Sequence, residues 1–440
     1  VNLSGWGRFP RIDADMYSFR SMDELASFVV ASKGLIARGM GRSYGDSALS
    51  KTVVSMCKFD RLIDFDPLQG ILTCEAGVSV ADIVDIFVSR GWFLPVVPGT
   101  KFVSIGGAVA SDVHGKNHHK DGSFANCISS FKLLMANGDI VQCSRQERAP
   151  LFYATIGGMG LTGIILQVTL FLKRIPSAHV RQRVFRAANL KEAMGIFEAN
   201  LNATYSVAWI DCLARRANSG RSLVMFGEHA GVEELPLEMS KKPLQLVRKR
   251  KIDIPFEFPS GALNRHSVKA FNWIYYNFSS RRAESLVDLE TFFFPLDSLL
   301  NWNRIYGKKG FVQYQVAFPL ASSREGLTEI LSIISQAGLG SFLAVLKYLG
   351  GGRGGLSFPI NGYTLALDLP YFNTLPGLLA KLDVVTREYG GRLYLTKDSR
   401  MAQQLFDATY GEAVNHFRAL RREIDPQSKI SSLQSIRLGL

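Results

Sequence analysis

Two glycine-rich stretches constrain this chain most: Arg38-Gly-Met-Gly-Arg-Ser-Tyr-Gly-Asp46, and the run from Pro98-Gly-Thr100 through Gly106-Gly107 to His114-Gly-Lys-Asn-His-His119. Each sets glycines beside polar and basic residues. Each also follows an apolar, strand-like run, Leu35-Ile-Ala37 in the first case and Trp92-Phe-Leu-Pro-Val-Val97 in the second. Glycine lets a backbone turn with positive φ and come close to another molecule. Successive N–H groups in such a turn form a concave anion site. Two of these turns can grip one long phosphate-bearing ligand, which points to a dinucleotide cofactor.

A third stretch, Gly158-Met-Gly-Leu-Thr-Gly163, has the GxGxxG spacing of a Rossmann fingerprint. That fingerprint must follow a strand and open a helix, so that the pyrophosphate meets a helix N-terminus. Here a helix-like stretch, Ala149 to Thr155, comes before it and a strand-like one, Ile164 to Phe171, comes after. The context is reversed, so the Rossmann reading fails. Taken singly, each glycine stretch is a tight turn; taken together they read as one site. Arg38 to Asp46 would wrap a pyrophosphate with backbone N–H groups and the Ser43 hydroxyl. Gly99, Thr100, Gly106 and Gly107 would lie along the rest of the cofactor, and Gly163 would let it pass close to a strand.

At 440 residues the chain has room for two or three domains and a large core. Its 47% hydrophobic and 20% charged content is that of a folded protein. From Ser21 to about Leu172 helix-like and strand-like segments alternate; Met22 to Val30 follows a Ser21 cap, and Asn137-Gly-Asp139 marks a hairpin. After Pro176 helical stretches (Leu190 to Asn200, Gly326 to Ala337) alternate with long β-rich runs (Gly310 to Pro319, Leu343 to Leu349, Thr364 to Pro370), as in a separate α+β domain. Residues 233–282 are basic, contain prolines and have weak periodicity, which predicts a mobile loop or lid. A final helix is expected over Met401 to Arg422.

The net charge of +13 is partly local: Lys241-Lys242 and Arg248-Lys-Arg-Lys251 put six basic residues within eleven. Such a run is either a solvated loop or an attractor of anionic lipid headgroups or of a phosphorylated substrate. No DNA- or RNA-binding module accompanies it, so nucleic acid is not expected as a partner. The five cysteines lie far apart without a CxxC pair, which predicts buried or half-buried thiols in a reducing compartment and no metal site. The N-terminus lacks an apolar h-region, and no run reaches the roughly 18 apolar residues of a membrane span. The expected location is cytoplasmic, or peripheral on the inner membrane.

Arg38 to Asp46 resembles the pyrophosphate loop of FAD flavoproteins of the vanillyl-alcohol-oxidase type. Several strings look like one branch of that type, the decaprenylphosphoryl-β-D-ribose 2′-oxidases. They are Val97-Pro-Gly-Thr100, Gly106-Gly-Ala108, Asp112-Val-His-Gly-Lys-Asn-His-His119, Gly157-Gly-Met-Gly-Leu-Thr-Gly-Ile-Ile165 and Trp302-Asn-Arg-Ile-Tyr-Gly307. The similarity continues in Gln313-Tyr-Gln315, Leu356-Ser-Phe-Pro359 and Gly391-Arg-Leu-Tyr-Leu-Thr-Lys-Asp-Ser-Arg400, and spans Gly5-Trp6-Gly7 to Asp425-Pro426.

The resemblance implies a two-domain α+β fold: an FAD-binding domain over 1–178 completed by 392–440, and a substrate domain over 179–391. It implies FAD bound by Arg38, Gly39, Met40, Gly41, Arg42, Ser43, Tyr44, Gly99, Thr100, Gly106, Gly107, Ala110, Ser111, Gly115, Gly163, Ile165 and Tyr394. Many relatives attach the flavin through a histidine at the position of Arg42, so the cofactor here is expected to be non-covalent. Lys397, His114 and Tyr44 are expected to carry the chemistry, with either Lys397 or His114 assisting proton transfer. Gln313, Gln315, Lys347, Trp209 and Thr364 are expected to meet the substrate. Mycobacterial members have a cysteine where this chain has Ala366, and an asparagine where it has Thr364. The implied reaction is oxidation of the 2′-hydroxyl of a polyprenylphosphoryl-ribose to a keto sugar. A separate NAD(P)H-dependent reductase would complete epimerisation to the arabinose, and the basic segment would touch an anionic membrane. The alternative is a flavin oxidase of a soluble alditol or sugar lactone.

Overall fold

The computed structural model describes residues 1–247, 250–259, 261–278, 284–341, 343–352 and 355–440. Near the N-terminus the strands Asp15–Ser18, Thr52–Ser55 and Ile36–Arg38 form a parallel sheet with Thr52–Ser55 in the centre. Helix Met22–Ala31 connects two of them; Ser21 caps it by accepting from the Glu24 N–H, and Leu25 and Val29 turn its apolar stripe inward. The first glycine loop leaves this sheet directly after Ile36–Arg38.

An antiparallel sheet of five strands follows, in the order Ile140–Ser144, Ile128–Leu134, Ile164–Phe171, Ile71–Glu75, Leu62–Asp66. Gly138, at φ +94°, makes the turn predicted at Asn137-Gly-Asp139. The strand Ile164–Phe171 lies between two neighbours, which is why its sequence is nearly all apolar.

The third large element is an antiparallel sheet of eight strands. Its order is Glu284–Asp288, His179–Ala187, Ser222–His229, Tyr205–Ile210, Ala344–Leu349, Gly362–Pro370, Phe311–Pro319, Arg392–Leu393. Side chains alternate across a strand, and here the alternation separates core from site. Val312, Tyr314 and Val316, with Ala344, Leu346, Leu365 and Leu367, pack into the core beneath helices Leu190–Ala199, Ser323–Ala337 and Leu375–Glu388. Gln313, Gln315, Val345, Lys347, Thr364, Ala366 and Asp368 face the other way and line a cavity.

The C-terminal residues return to the first sheet. Ser431 N–H donates to the Leu35 carbonyl, and Leu433 N–H to that of Leu49. Arg437 binds Asp46 (2.8 Å) and Asp398 (2.9 Å) together. The loop carrying Thr396 and Lys397 is thereby pressed on the first glycine loop, where Tyr44 N–H donates to the Thr396 carbonyl at 2.9 Å.

The structure departs from the sequence expectations in several places. Residues 233–282 are not an irregular loop: they contain the short strand Ile252–Asp253 and the fourteen-residue helix Arg265–Phe278. That helix was illegible because aromatic side chains occur on both its buried and its exposed sides. Arg248 and Lys249 of the basic run, Ser260 and residues 279–282 lie outside the described residues. The helix expected over Met401 to Arg422 is two helices, Gln403–Tyr410 and Glu412–Ile424, parted at Gly411 with φ +56°. Of the second apolar run only Trp92–Phe93 is strand. Cys57 is exposed, whereas the other four cysteines are buried, and all five are free.

Candidate active site

The three glycine stretches and the inner face of the large sheet meet at one cavity of about 430 Å³, within the size range of small-molecule and cofactor sites. Its outer part is a channel of backbone. Among the described residues the N–H groups of Met40, Gly41, Arg42 and Ser43 donate to no group of the chain, so they remain available to an anion. Gly41 has φ +65°, and a Cβ on Gly39 would stand 2.0 Å from Ser104 Oγ. Only glycine permits that approach. Gly99, Thr100, Gly106, Gly107, Ala110, Ser111, Gly163 and Ile165 continue the lining, and Tyr394 closes it by donating from its hydroxyl to the Ser111 carbonyl at 2.8 Å. Unfilled phosphate donors, glycine cradles and a length running to the sheet fit FAD.

Arg42, where many relatives have the attaching histidine, lies with its guanidinium 4.0 Å from the Trp6 ring centroid and 5.6 Å from that of Phe102. Burial lowers its pKa, and Asp297, also on the lining, opposes that shift. Asp297 itself accepts the Lys101 N–H at 2.7 Å, and burial raises its pKa.

The inner end is ionisable. Lys397 Nζ sits 3.7 Å from the centroid of the Tyr44 ring, which in turn meets Phe311 edge-on at 5.4 Å. Burial pushes the lysine well below its ordinary range; the negative charge of Asp368 partly opposes this, and Lys347 adds to it. Asp368 is moved the other way, up toward neutral pH, by burial first, with the Gln313 hydrogen bond and Lys397 pulling it back. Gln313 Nε2 donates to Asp368 Oδ1, while Oδ2 is buried with no partner among the described residues. A buried amine and a buried carboxyl thus titrate against each other within the same wall.

His114 faces this pair from the second glycine stretch. Its ring lies 5.2 Å from Tyr394 and 5.6 Å from Phe358, and its Nε2 is 3.2 Å from Gln315 Nε2. An amide nitrogen donates, so His114 Nε2 accepts. Burial, reinforced by Lys347, His118 and Lys397, holds the imidazole neutral by lowering its pKa well below the usual value. Gln315 Nε2 also reaches Thr364 Oγ1 at 3.4 Å. Lys347 is half-buried on the lining, and burial lowers its pKa to about 8. Behind it Lys116 donates to the Phe293 carbonyl at 3.0 Å and has its pKa lowered to about 7 by burial.

Most of the expected positions therefore converge, but three do not reach the lining. Arg38 turns away and braces the loop through the carbonyls of Ser4 (2.7 Å) and Ala48 (3.3 Å). Gly115 instead packs near Asn117 and Val97, where a Cβ would lie 2.7 Å from Asn117 Oδ1. Trp209 is a neighbour of Val345 across the sheet, but the Tyr275 ring covers it at 4.9 Å. Sequence reasoning missed Asp368, Trp6 and, in one segment, Leu296, Asp297, Leu299, Leu300, Asn301 and Trp302, all on the lining. A signal for Asp368 existed: a lone carboxylate in step with Thr364 and Ala366 in an otherwise apolar strand. For Asp297 there was none, because its place depends on a distant loop.

Comparison with known proteins agrees with this geometry. The family model described as an FAD binding domain matches residues 18–144. The chain is 34% identical to the decaprenylphosphoryl-β-D-ribose oxidase of Mycolicibacterium smegmatis, over all of this chain and 97% of that protein. It is 34% identical to an uncharacterised protein of Streptomyces coelicolor, over 82% of this chain and 100% of that one. The similarity to bovine L-gulonolactone oxidase is 28% over 46% of each chain. A glycine channel suited to FAD and a full-length match lead to one conclusion: the chain is an FAD-dependent oxidoreductase of the decaprenylphosphoryl-β-D-ribose oxidase family.

Proposed function

We propose that this protein oxidises the 2′-hydroxyl of a polyprenylphosphoryl-β-D-ribose to the 2′-keto sugar, the first half of an epimerisation to the arabinose. The carrying observation is the continuity of the cavity, from a channel of free backbone donors to a pole where Lys397, Asp368, Gln313, Gln315, His114 and Lys347 converge. FAD, when bound in that channel, supplies the acceptor for the carbinol hydride; Met40 to Ser43 would hold its phosphates, and Arg42 offers no nucleophile for a covalent link.

The alcohol must also lose its hydroxyl proton. Burial keeps Lys397 low enough that a share of it is neutral amine near neutral pH, able to accept that proton. Its position over the Tyr44 ring places Nζ at the inner end of the cavity. Asp368 steadies the ammonium so formed and is itself oriented by Gln313. His114 has its Nε2 engaged by Gln315, so it positions the sugar rather than taking the proton. Lys347, with no carboxylate partner among the described residues, suits the substrate phosphate. Residues 179–391, which supply seven of the eight strands of the large sheet, act as the substrate domain, over an FAD domain made of 1–178 and 392–440. A separate NAD(P)H-dependent reductase returns the keto sugar to the epimeric alcohol, and the protein works at an anionic membrane surface.

A flavin oxidase of soluble sugar lactones is the second reading, favoured by the partial similarity to L-gulonolactone oxidases. Anaerobic titration separates the two. The purified yellow protein should lose its visible flavin absorbance with a detergent-dispersed polyprenylphosphoryl pentose and keep it with free lactones or alditols. Acid precipitation should leave the flavin in the supernatant. Colourless protein, or bleaching by free sugars alone, overturns the proposal.

A further inference from the structure

The geometry points to residues 250–259 and helix Arg265–Phe278 as a docking surface for a bilayer with anionic headgroups, placed at the rim of the cavity. This rests on the lipid-linked substrate proposed above.

Among the described residues the helix buries one side. Val268 and Asn272 are buried, Asn272 donating to Asp211 Oδ1 at 2.7 Å, and Tyr275 lies on Trp209. Elsewhere on the helix Trp273 is 54% and Ile274 53% exposed. The preceding segment adds Ile252 at 57% and Phe256 at 63%. Large apolar residues exposed singly need no explanation, but a concentration of them does.

Charge selects the occupant. Residues 241–278 contain eight Lys or Arg against two acidic residues, Asp253 and Glu257, and the helix has no acid at all. Both acids are engaged: Asp253 accepts from Asn301 at 2.8 Å, and Glu257 pairs with Arg8. Arg250, Lys251, Arg265 and Lys269 have no carboxylate partner among the described residues. A two-fold contact between copies would set this basic patch against itself. Exposed Trp beside Lys and Arg is instead the composition of segments that lie in the headgroup layer.

Position supplies the reason for docking here. Ile252–Asp253 pairs in parallel with Leu299–Leu300, and both leucines line the cavity. Lys251 Nζ stands 4.9 Å from the Phe102 ring, another lining residue. Seating this surface on a bilayer sets the rim at headgroup depth, where a polyprenyl phosphate presents its sugar while its chain stays in the hydrocarbon.

The test is flotation of the FAD-loaded protein with vesicles of phosphatidylcholine alone or mixed with phosphatidylglycerol. The wild type should float with the mixed vesicles, less so in high salt, and hardly with phosphatidylcholine. The variant Phe256→Ser/Trp273→Ser/Ile274→Ser should lose roughly tenfold or more in partitioning. Leu68→Ser, at a site 87% exposed, serves as the control and should not. Both should keep wild-type flavin absorbance and melting temperature, which excludes misfolding. Equal partitioning of variant and wild type, absence of vesicle binding, or a solution dimer dissolved by the triple substitution overturns the assignment. Flotation reads no turnover, so failure here leaves the proposed reaction standing, and failure of the flavin titration leaves this result interpretable.

Discussion

At the residue scale the chemistry rests on moving two ordinary pKa values toward each other. An exposed lysine near pH 7 is almost wholly ammonium and cannot accept a proton; burial lowers Lys397 and raises Asp368 against that default. The sign follows directly. As pH rises through the depressed lysine pKa, the neutral amine fraction grows, so flavin reduction by the lipid-linked pentose should accelerate and level off well below the ordinary lysine pKa. Stopped-flow reduction across pH measures this. Lys397→Met should slow reduction by about 10²-fold or more and remove the rising limb. Lys397 was reached by resemblance, while its counter-charge was not reached at all. The step of Asp368 with Thr364 and Ala366 hints at a shared face, but only the register Gln313↔Asp368 shows what that carboxylate meets.

At the scale of elements the glycine loops were legible because glycine spacing is a local constraint: a positive φ at Gly41 depends on little outside the loop. What the loop packs on was not legible. An added Cβ at Gly45 would lie 1.7 Å from the Asp398 carbonyl oxygen, in the segment that carries Lys397. Gly45→Ala must therefore spread the loop from that segment, at about 1–3 kcal/mol of strain by analogy with overpacked cores. The purified variant should retain less FAD through gel filtration than the wild type, as read from the ratio of flavin to protein absorbance; equal retention would show that the loop moves freely. Three strands of the large sheet were also legible as β-rich runs, Gly310 to Pro319, Leu343 to Leu349 and Thr364 to Pro370, while its other strands were not. Helix Arg265–Phe278 was not, because its half-buried Tyr275 and exposed Trp273 confuse any single-face count.

At the scale of the whole molecule the two chain ends are joined by charge. Arg437 lies between Asp46 and Asp398, both nearly inaccessible, and thus ties the C-terminal helix to the cofactor loop. Arg437→Met leaves two buried carboxylates without their cation, at a cost of about 3–5 kcal/mol. Burial already raises the Asp46 pKa, and losing the guanidinium raises it further. The penalty is then full above that raised folded-state pKa and shrinks as pH falls through it, because a protonated carboxyl needs no cation. Urea unfolding of variant and wild type at neutral and mildly acidic pH should show the gap narrowing on acidification. A constant gap would mean that the arginine acts by packing alone.

By itself the sequence determined the glycine turns, a number of the strands and helices, the failure of the Rossmann alternative and, through its motifs, the flavoprotein family. Each depends on a few consecutive residues or on strings that can be compared directly. Only the tertiary structure decided that Asp368 faces the same cavity as Lys397, that Arg38 and Trp209 are directed elsewhere, and that an apolar, basic surface borders the cavity. Those depend on which strands become neighbours and on how much water is excluded between them. The strength of a charge at such a site is set by the exclusion of water, a property of the packed molecule that no local stretch of residues contains.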